Sequence, residues 1–161
     1  YHADGAFTVG IGEIEDEAQR LIDVTRESLE RAIEQVRPGN AIRDIAAAVQ
    51  GHVEAAGFSV VRALVGHGIG KVFHDAPEVR HYGKPGDGLV LAPGMLFTIE
   101  PMINAGGHKV KILKDGWTTV TRDRSLSAQF EHTVGVTEDG YEIFTGSPMG
   151  YEKPPYGVGV V

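Results

Sequence analysis

Cysteine is absent from the 161 residues. That excludes disulfides, and it removes the thiolate both as a nucleophile and as a metal ligand. No run of eighteen apolar residues occurs, so no membrane-spanning helix is predicted. A charged, apolar, small-residue leader pattern is lacking too, and a cytoplasmic setting is expected. Lys and Arg number 15 against 22 Asp and Glu, for a net charge of −7. The basic residues are scattered, which argues against nucleic acid as a partner. Several catalytic signatures are also missing. Gly66-His67-Gly68-Ile69-Gly70 lacks the G-x-G-x-x-G spacing and precedes no amphipathic helix, and there is no Gly-Lys-Ser/Thr phosphate loop. No serine sits in a G-x-S-x-G elbow, and Glu131-His132 belongs to neither H-E-x-x-H nor H-x-x-E-H. Among hydrolytic chemistries, these absences leave a metal-activated water.

What is present suffices for one domain or part of one, with 42% hydrophobic residues to build a core. Residues 15–36 carry apolar side chains at i, i+3 and i+4 and predict a helix that Arg37-Pro38-Gly39 stops. A second helix is predicted over 41–56, with Asn40 as N-cap and Gly57 just past its end. His52 on this helix is expected to face solvent. Five or six strands follow, mostly as a meander. They cover Phe58–Leu64, Met95–Glu100, a hairpin of 109–113 with 117–121 around Asp115-Gly116, a long strand over 127–137, and its partner over 141–145. Residues 1–12 read as a strand or hairpin arm, residues 65–77 as a glycine-rich loop without strand periodicity, and 78–93 as loop. The fold class is α+β, with two helices packed on a curved, mostly antiparallel sheet. Residues 1–145 form the domain, and residues 146–161 are a Pro- and Gly-rich tail.

The glycine-rich stretch carries His67 and His74. Further polar groups follow in Thr98-Ile99-Glu100-Pro101-Met102 and Gln129-Phe130-Glu131-His132-Thr133, and Asp4 lies upstream. A mixed carboxylate and imidazole set suits Mn, Fe, Co or Zn. Each residue alone has a duller reading: a turn aspartate, solvated glutamates, a satisfied structural histidine. Spacing leaves a metal site and scattered polar residues equally open.

Three segments carry a resemblance: V-G-H-G-I-G-K-V-F-H-D-A-P (65–77), P-G-M-L-F-T-I-E-P-M (93–102) and D-G-W-T-T-V-T-R-D-R-S-L-S-A-Q-F-E-H-T (115–133). In order and spacing the chain resembles the type I methionine aminopeptidases from Tyr1 to about Thr145. The resemblance implies the pita-bread fold and removal of the initiator methionine from nascent proteins by a water activated between two divalent ions (Mn, Fe, Co or Zn). By position, Asp4, His67, Glu100 and Glu131 match metal ligands, with Asp4 and Glu131 bridging and His67 and Glu100 completing the first ion. His74 matches the group that contacts the substrate amide, and Glu100 also a proton relay. Phe73 and Trp117 match walls of the methionine pocket, and Met102 and Gln129 match residues lining the site. His2, His81, His108 and His132 read as structural. Partners implied are a peptide with N-terminal methionine and the ribosome. A prolidase-like hydrolase and a non-catalytic binding fragment on the same fold are the alternatives.

Two departures stand out. The family pattern H-G-D-T-S is here His2-Ala3-Asp4-Gly5-Ala6, which removes hydroxyls beside the bridging aspartate. The chain also begins at Tyr1, whereas the family's first chelating aspartate, another active-site histidine and much of the methionine pocket lie further upstream. The expectation is a C-terminal portion of the catalytic domain that fully supplies one metal site, partners the preceding segment of its parent protein and has little activity by itself.

Overall fold

The computed structural model describes residues 1–147. Two helices, α1 (Asp16–Ile33) and α2 (Ile42–Ala55), are followed by ten short strands. These are β1 (Ser59–Val60), β2 (Gly66–Gly68), β3 (Asp75–Val79), β4 (Leu96–Ile99), β5 (Met102–Asn104), β6 (Val110–Ile112), β7 (Thr119–Thr121), β8 (Ser127–Gln129), β9 (His132–Val136) and β10 (Tyr141–Ile143). They pair antiparallel in three sheets with orders β10-β9-β4-β2-β3, β1-β5-β8 and β6-β7. The α+β class holds. The meander of five or six strands does not, because the chain crosses between two sheets. The predicted tail falls almost wholly outside the described residues.

The helices form where the apolar period places them. α1 buries Leu21, Leu29, Ala32 and Ile33, and α2 buries Ile42, Ile45, Val49 and Val53. These side chains share one core with Phe97, Ile99, Ile103, Ala128, Phe130 and Val134 from the strands. The N-cap of α2 is Ala41 rather than Asn40. Ala41 is extended, and its N–H donates to Asp44 Oδ2 at 2.8 Å. Asn40 Nδ2 instead donates to the Gln35 carbonyl at 2.9 Å, which closes the end of the first helical segment. His52 does not face open solvent. It is half-buried between the helices, with Nε2 3.3 Å from Glu27 Oε2.

Three strand expectations need correction. The strand over 58–64 shrinks to β1. The glycine-rich stretch is partly a strand, since β2 pairs with β3 on one side and β4 on the other. Glycine carries no side chain to alternate, so the period of two is silent there. The close pairing also requires glycine: a Cβ at Gly68 would overlap the Ala76 carbonyl oxygen, and one at Gly66 the Thr98 carbonyl oxygen.

The long strand over 127–137 is broken into β8 and β9. Ile99 pairs with His132 on one side of the break and Met102 with Gln129 on the other. The register is the same on both sides, so Glu100 and Glu131 oppose each other in the gap. Pro101 opens it because it has no N–H to donate to a ladder. The N-terminal arm fills it from the other side. Glu131 N donates to Ala6 O at 2.7 Å, and Ala6 N donates to Glu131 O at 3.3 Å. Residues 1–12 are thus an arm with a single bridge, Ala6 to Glu131, not a regular strand.

Gly68→Ala is expected to destabilise the chain by about 1–3 kcal/mol through overpacking against β3. Gly70→Ala, with no atom within 4 Å of its added Cβ, should stay within about 0.5 kcal/mol. Urea unfolding followed by circular dichroism compares the two.

Candidate metal centre

The sheet order sets β2, β4 and β9 side by side. His67 lies in β2, Glu100 follows β4 and Glu131 precedes β9. Three neighbouring strands therefore deliver one imidazole and two carboxylates to one place. The arm adds a third carboxylate. It runs antiparallel along 129–133, with Thr8 bonded to the Gln129 backbone and Asp4 to Thr133. Donor atoms of Asp4, His67 and Glu131 all lie within 4.8 Å of one another. Glu100 Oε1 is 3.6 Å from His67 Nε2.

Each of these residues has its backbone N–H held. His67 N donates to Thr98 Oγ1 at 3.0 Å, Asp4 N to Thr133 Oγ1 at 2.8 Å and Glu100 N to His81 Nε2 at 3.0 Å. Glu131 N is held by the Ala6 carbonyl. The acceptor side chains Thr98, His81 and Thr133 are all buried. Thr98 acts twice, since its hydroxyl also donates to Glu100 Oε1 at 2.9 Å. Thr133 donates back to the Asp4 carbonyl at 2.8 Å. Gln129 Nε2 reaches Glu100 Oε2 at 3.5 Å. His67 Nδ1 lies 3.0 Å from the Gly68 carbonyl, which can only accept. Nδ1 therefore carries a proton, and Nε2 is the nitrogen turned toward the carboxylates.

The electrostatics are unfavourable without a cation. Burial, then the neighbouring Glu100 and Asp4, push the Glu131 carboxyl up to about 8. Burial also raises Glu100; the Thr98 hydrogen bond and His67 oppose that rise, while Asp4 adds to it. Glu131 Oε1 is buried and has no hydrogen-bond partner. Burial alone lowers His81 to about 3, so it is neutral, consistent with its accepting an N–H.

The other residues singled out in the sequence divide. His74 and Phe73 stand in the turn between β2 and β3 at the edge of this cluster. The His74 ring lies 4.4 Å from that of His67 and 4.7 Å from Phe73, and Phe73 lies 5.8 Å from His67. Met102 and Gln129 are cross-strand partners directly below the gap. Trp117 is not brought in. It sits at the tip of the β6–β7 hairpin and is 85% exposed. His132 turns away, with Nδ1 2.8 Å from Thr145 Oγ1. His2 bonds the Gly70 carbonyl through both its backbone N–H and Nδ1 and meets the Phe73 ring edge-on at 5.5 Å. Thr98 and Thr133 are the supports that motif reading left unassigned. Their signal is the mirrored pair Thr-x-Glu (98–100) and Glu-x-Thr (131–133) on opposed strands.

Residues 1–138 match metallopeptidase family M24. Methionine aminopeptidase A of Synechocystis sp. is 57% identical over 145 residues, which cover 90% of this chain and 57% of that protein. The methionine aminopeptidase of Rickettsia prowazekii is 51% identical over 157 residues, covering 97% of this chain and 61% of that protein. The chain thus spans a little over half the length of these relatives. The crystal structure of the Rickettsia prowazekii enzyme superposes with a TM-score of 0.87 at 52% identity, covering 89% of this chain and 58% of that one. The prolidase of Pyrococcus furiosus, at 23% identity and a TM-score of 0.68, shares the fold. By sequence match and by its pita-bread architecture, this chain belongs to metallopeptidase family M24.

Proposed function

We propose that this chain supplies the carboxylate and imidazole face of a methionine aminopeptidase centre, with Asp4, His67, Glu100 and Glu131 as ligands to divalent metal. The observation carrying the reading is the buried, unpartnered Glu131 Oε1 set among Glu100, Asp4 and His67. Three carboxylates and one imidazole, with no Lys or Arg ion-paired to any of them among the described residues, fit a cation and fit little else. Two ions of the Mn, Fe, Co or Zn type would be shared through Asp4 and Glu131, with His67 and Glu100 completing one of them. When bound, divalent metal supplies Lewis acidity and acidifies water for hydrolysis.

The remaining roles belong to the chain's own side chains. Thr98 and Gln129 grip the two oxygens of Glu100 and fix its plane. Glu100, raised by burial, can hold and pass a proton at Oε2. His74, exposed beside His67, is placed to hydrogen-bond the amide of a bound peptide and the charge that develops on its oxygen. Phe73 offers an aromatic edge to a thioether side chain, and Met102 lines the floor. Trp117 joins that pocket only if its hairpin is drawn toward Phe73. The substrate class, a peptide with N-terminal methionine, rests on the identity with the methionine aminopeptidases. Tyr1 and Ile11 on the arm are 95% and 89% exposed. We assign these apolar side chains to contact with the portion of the relatives' chains that these residues do not span.

Titration with Mn2+ or Co2+ followed by calorimetry should show binding that Glu131→Ala weakens by more than tenfold, as for a lost ligand. Unchanged affinity would overturn the ligand set.

The raised Glu131 pKa fixes a sign. Its stabilisation of the metal-free chain is complete below about 4.5 and is lost as pH rises to about 8. The slope is at most about 1.4 kcal/mol per pH unit. His81 and His132, both lowered by burial, act oppositely below about 6.5. The difference from Glu131→Gln in urea midpoints therefore isolates the carboxyl. Metal affinity should rise with pH across the same window, because binding needs the ionised carboxylate.

The substrate reading is tested with Met-Ala-Ser and Ala-Pro. Release of methionine, weak from this chain alone and restored by the N-terminal portion of the Synechocystis relative, is the expected result. Cleavage of Ala-Pro without release of methionine would overturn it.

A further inference from the structure

We propose that His81 is a positioning residue for Glu100, its Nε2 accepting the Glu100 N–H and so fixing the bend from which that carboxylate is aimed. The inference rests on the metal-centre reading above. Glu100 sits where the β4–β9 ladder stops. The next residue, Pro101, has no N–H, and the opposed residue, Glu131, has both backbone groups engaged with Ala6. The Glu100 N–H is therefore a part-buried donor without a strand partner, and such groups need an acceptor. His81, 1% exposed and just past β3, provides one at 3.0 Å.

The choice of histidine is informative. Nε2 accepts only when the ring is neutral with its proton on Nδ1. Nδ1 is itself buried and has no partner. An unpaired buried N–H is a cost that leucine would avoid while filling similar space. The ring therefore carries a destabilising orphan at one nitrogen, and what it provides in return is the acceptor at the other. With Thr98 Oγ1 holding Oε1 and His81 holding the backbone nitrogen, Glu100 is fixed at both ends. Without the backbone anchor, the Glu100-Pro101 bend is free to swing and the carboxylate loses its aim toward His67.

The test compares His81→Gln and His81→Leu in the full 161-residue chain, with Co2+ as the probe. His81→Leu should lower Co2+ affinity about 10–100-fold, as loss of an outer support does. His81→Gln, whose Oε1 can take the place of Nε2, should stay within about threefold. Long-range proton–nitrogen NMR of the metal-free chain should find the His81 ring protonated on Nδ1. Thermal midpoints without metal are read alongside. A merely structural role would lower both midpoints and leave the Co2+ affinity of the folded variants unchanged, which would overturn the proposal. A ring protonated on Nε2 would also overturn it. Should His81→Leu not fold, a tenfold loss with folded His81→Gln overturns it equally. Absence of Co2+ binding by the unsubstituted chain would overturn the metal-centre reading and this one with it. Co2+ binding that is indifferent to His81 would overturn this one alone.

Discussion

The structure turns on two carboxylates that face each other across a break in an antiparallel ladder. Glu100 and Glu131 occupy opposed positions between Ile99–His132 and Met102–Gln129, and Asp4 is brought beside them by the arm. Two unit charges 4 Å apart repel by about 4 kcal/mol at an effective dielectric of 20. A domain has only about 5–15 kcal/mol of stability in total. The fold therefore cannot hold a buried Glu131 ionised beside the part-buried Asp4 and Glu100 carboxylates unless a proton or a cation relieves them. The raised Glu131 pKa is the proton answer. A divalent cation is the proposed functional one.

The supports follow from the same break. Interrupting a ladder frees backbone groups, and here those of Glu131 pair with the Ala6 backbone while the Glu100 N–H is held by the His81 side chain. Thr98, His81 and Thr133 accept the N–H groups of His67, Glu100 and Asp4. Two of the three are threonines within the strands that carry Glu100 and Glu131, so the scaffold and the site share residues. Pro101 is part of this design, because the residue that ends β4 also determines which way Glu100 points. Gly66 and Gly68 complete it by letting β3 and β4 approach β2 closely enough for His67 to reach the carboxylates.

Local pattern made some of this legible. The helices followed their apolar period to within a few residues, and the Asp115-Gly116 turn set the β6–β7 hairpin. Asp4, His67, Glu100 and Glu131 were singled out as candidates through motifs, not spacing, since no helix or strand period links four residues spread over 128 positions. The broken strand was not legible. Ser127 to Thr137 has the composition of one continuous strand, and the break depends on Pro101 in its partner and on the arm. Both are tertiary facts. The strand β2 lay hidden for a different reason, because a strand built largely of glycine has no hydropathic alternation to read. Asn40 misled because its side chain had two helix ends within reach and bonded to the preceding one.

The most direct test of this account is a crystal structure of the chain grown with Co2+, with anomalous scattering recorded at the cobalt edge. The account predicts anomalous density between the carboxylates of Asp4, Glu100 and Glu131, within coordination distance of His67 Nε2, with the β4–β9 break intact. Density elsewhere on the chain, or a cluster left empty with Glu100 and Glu131 turned apart, would contradict it.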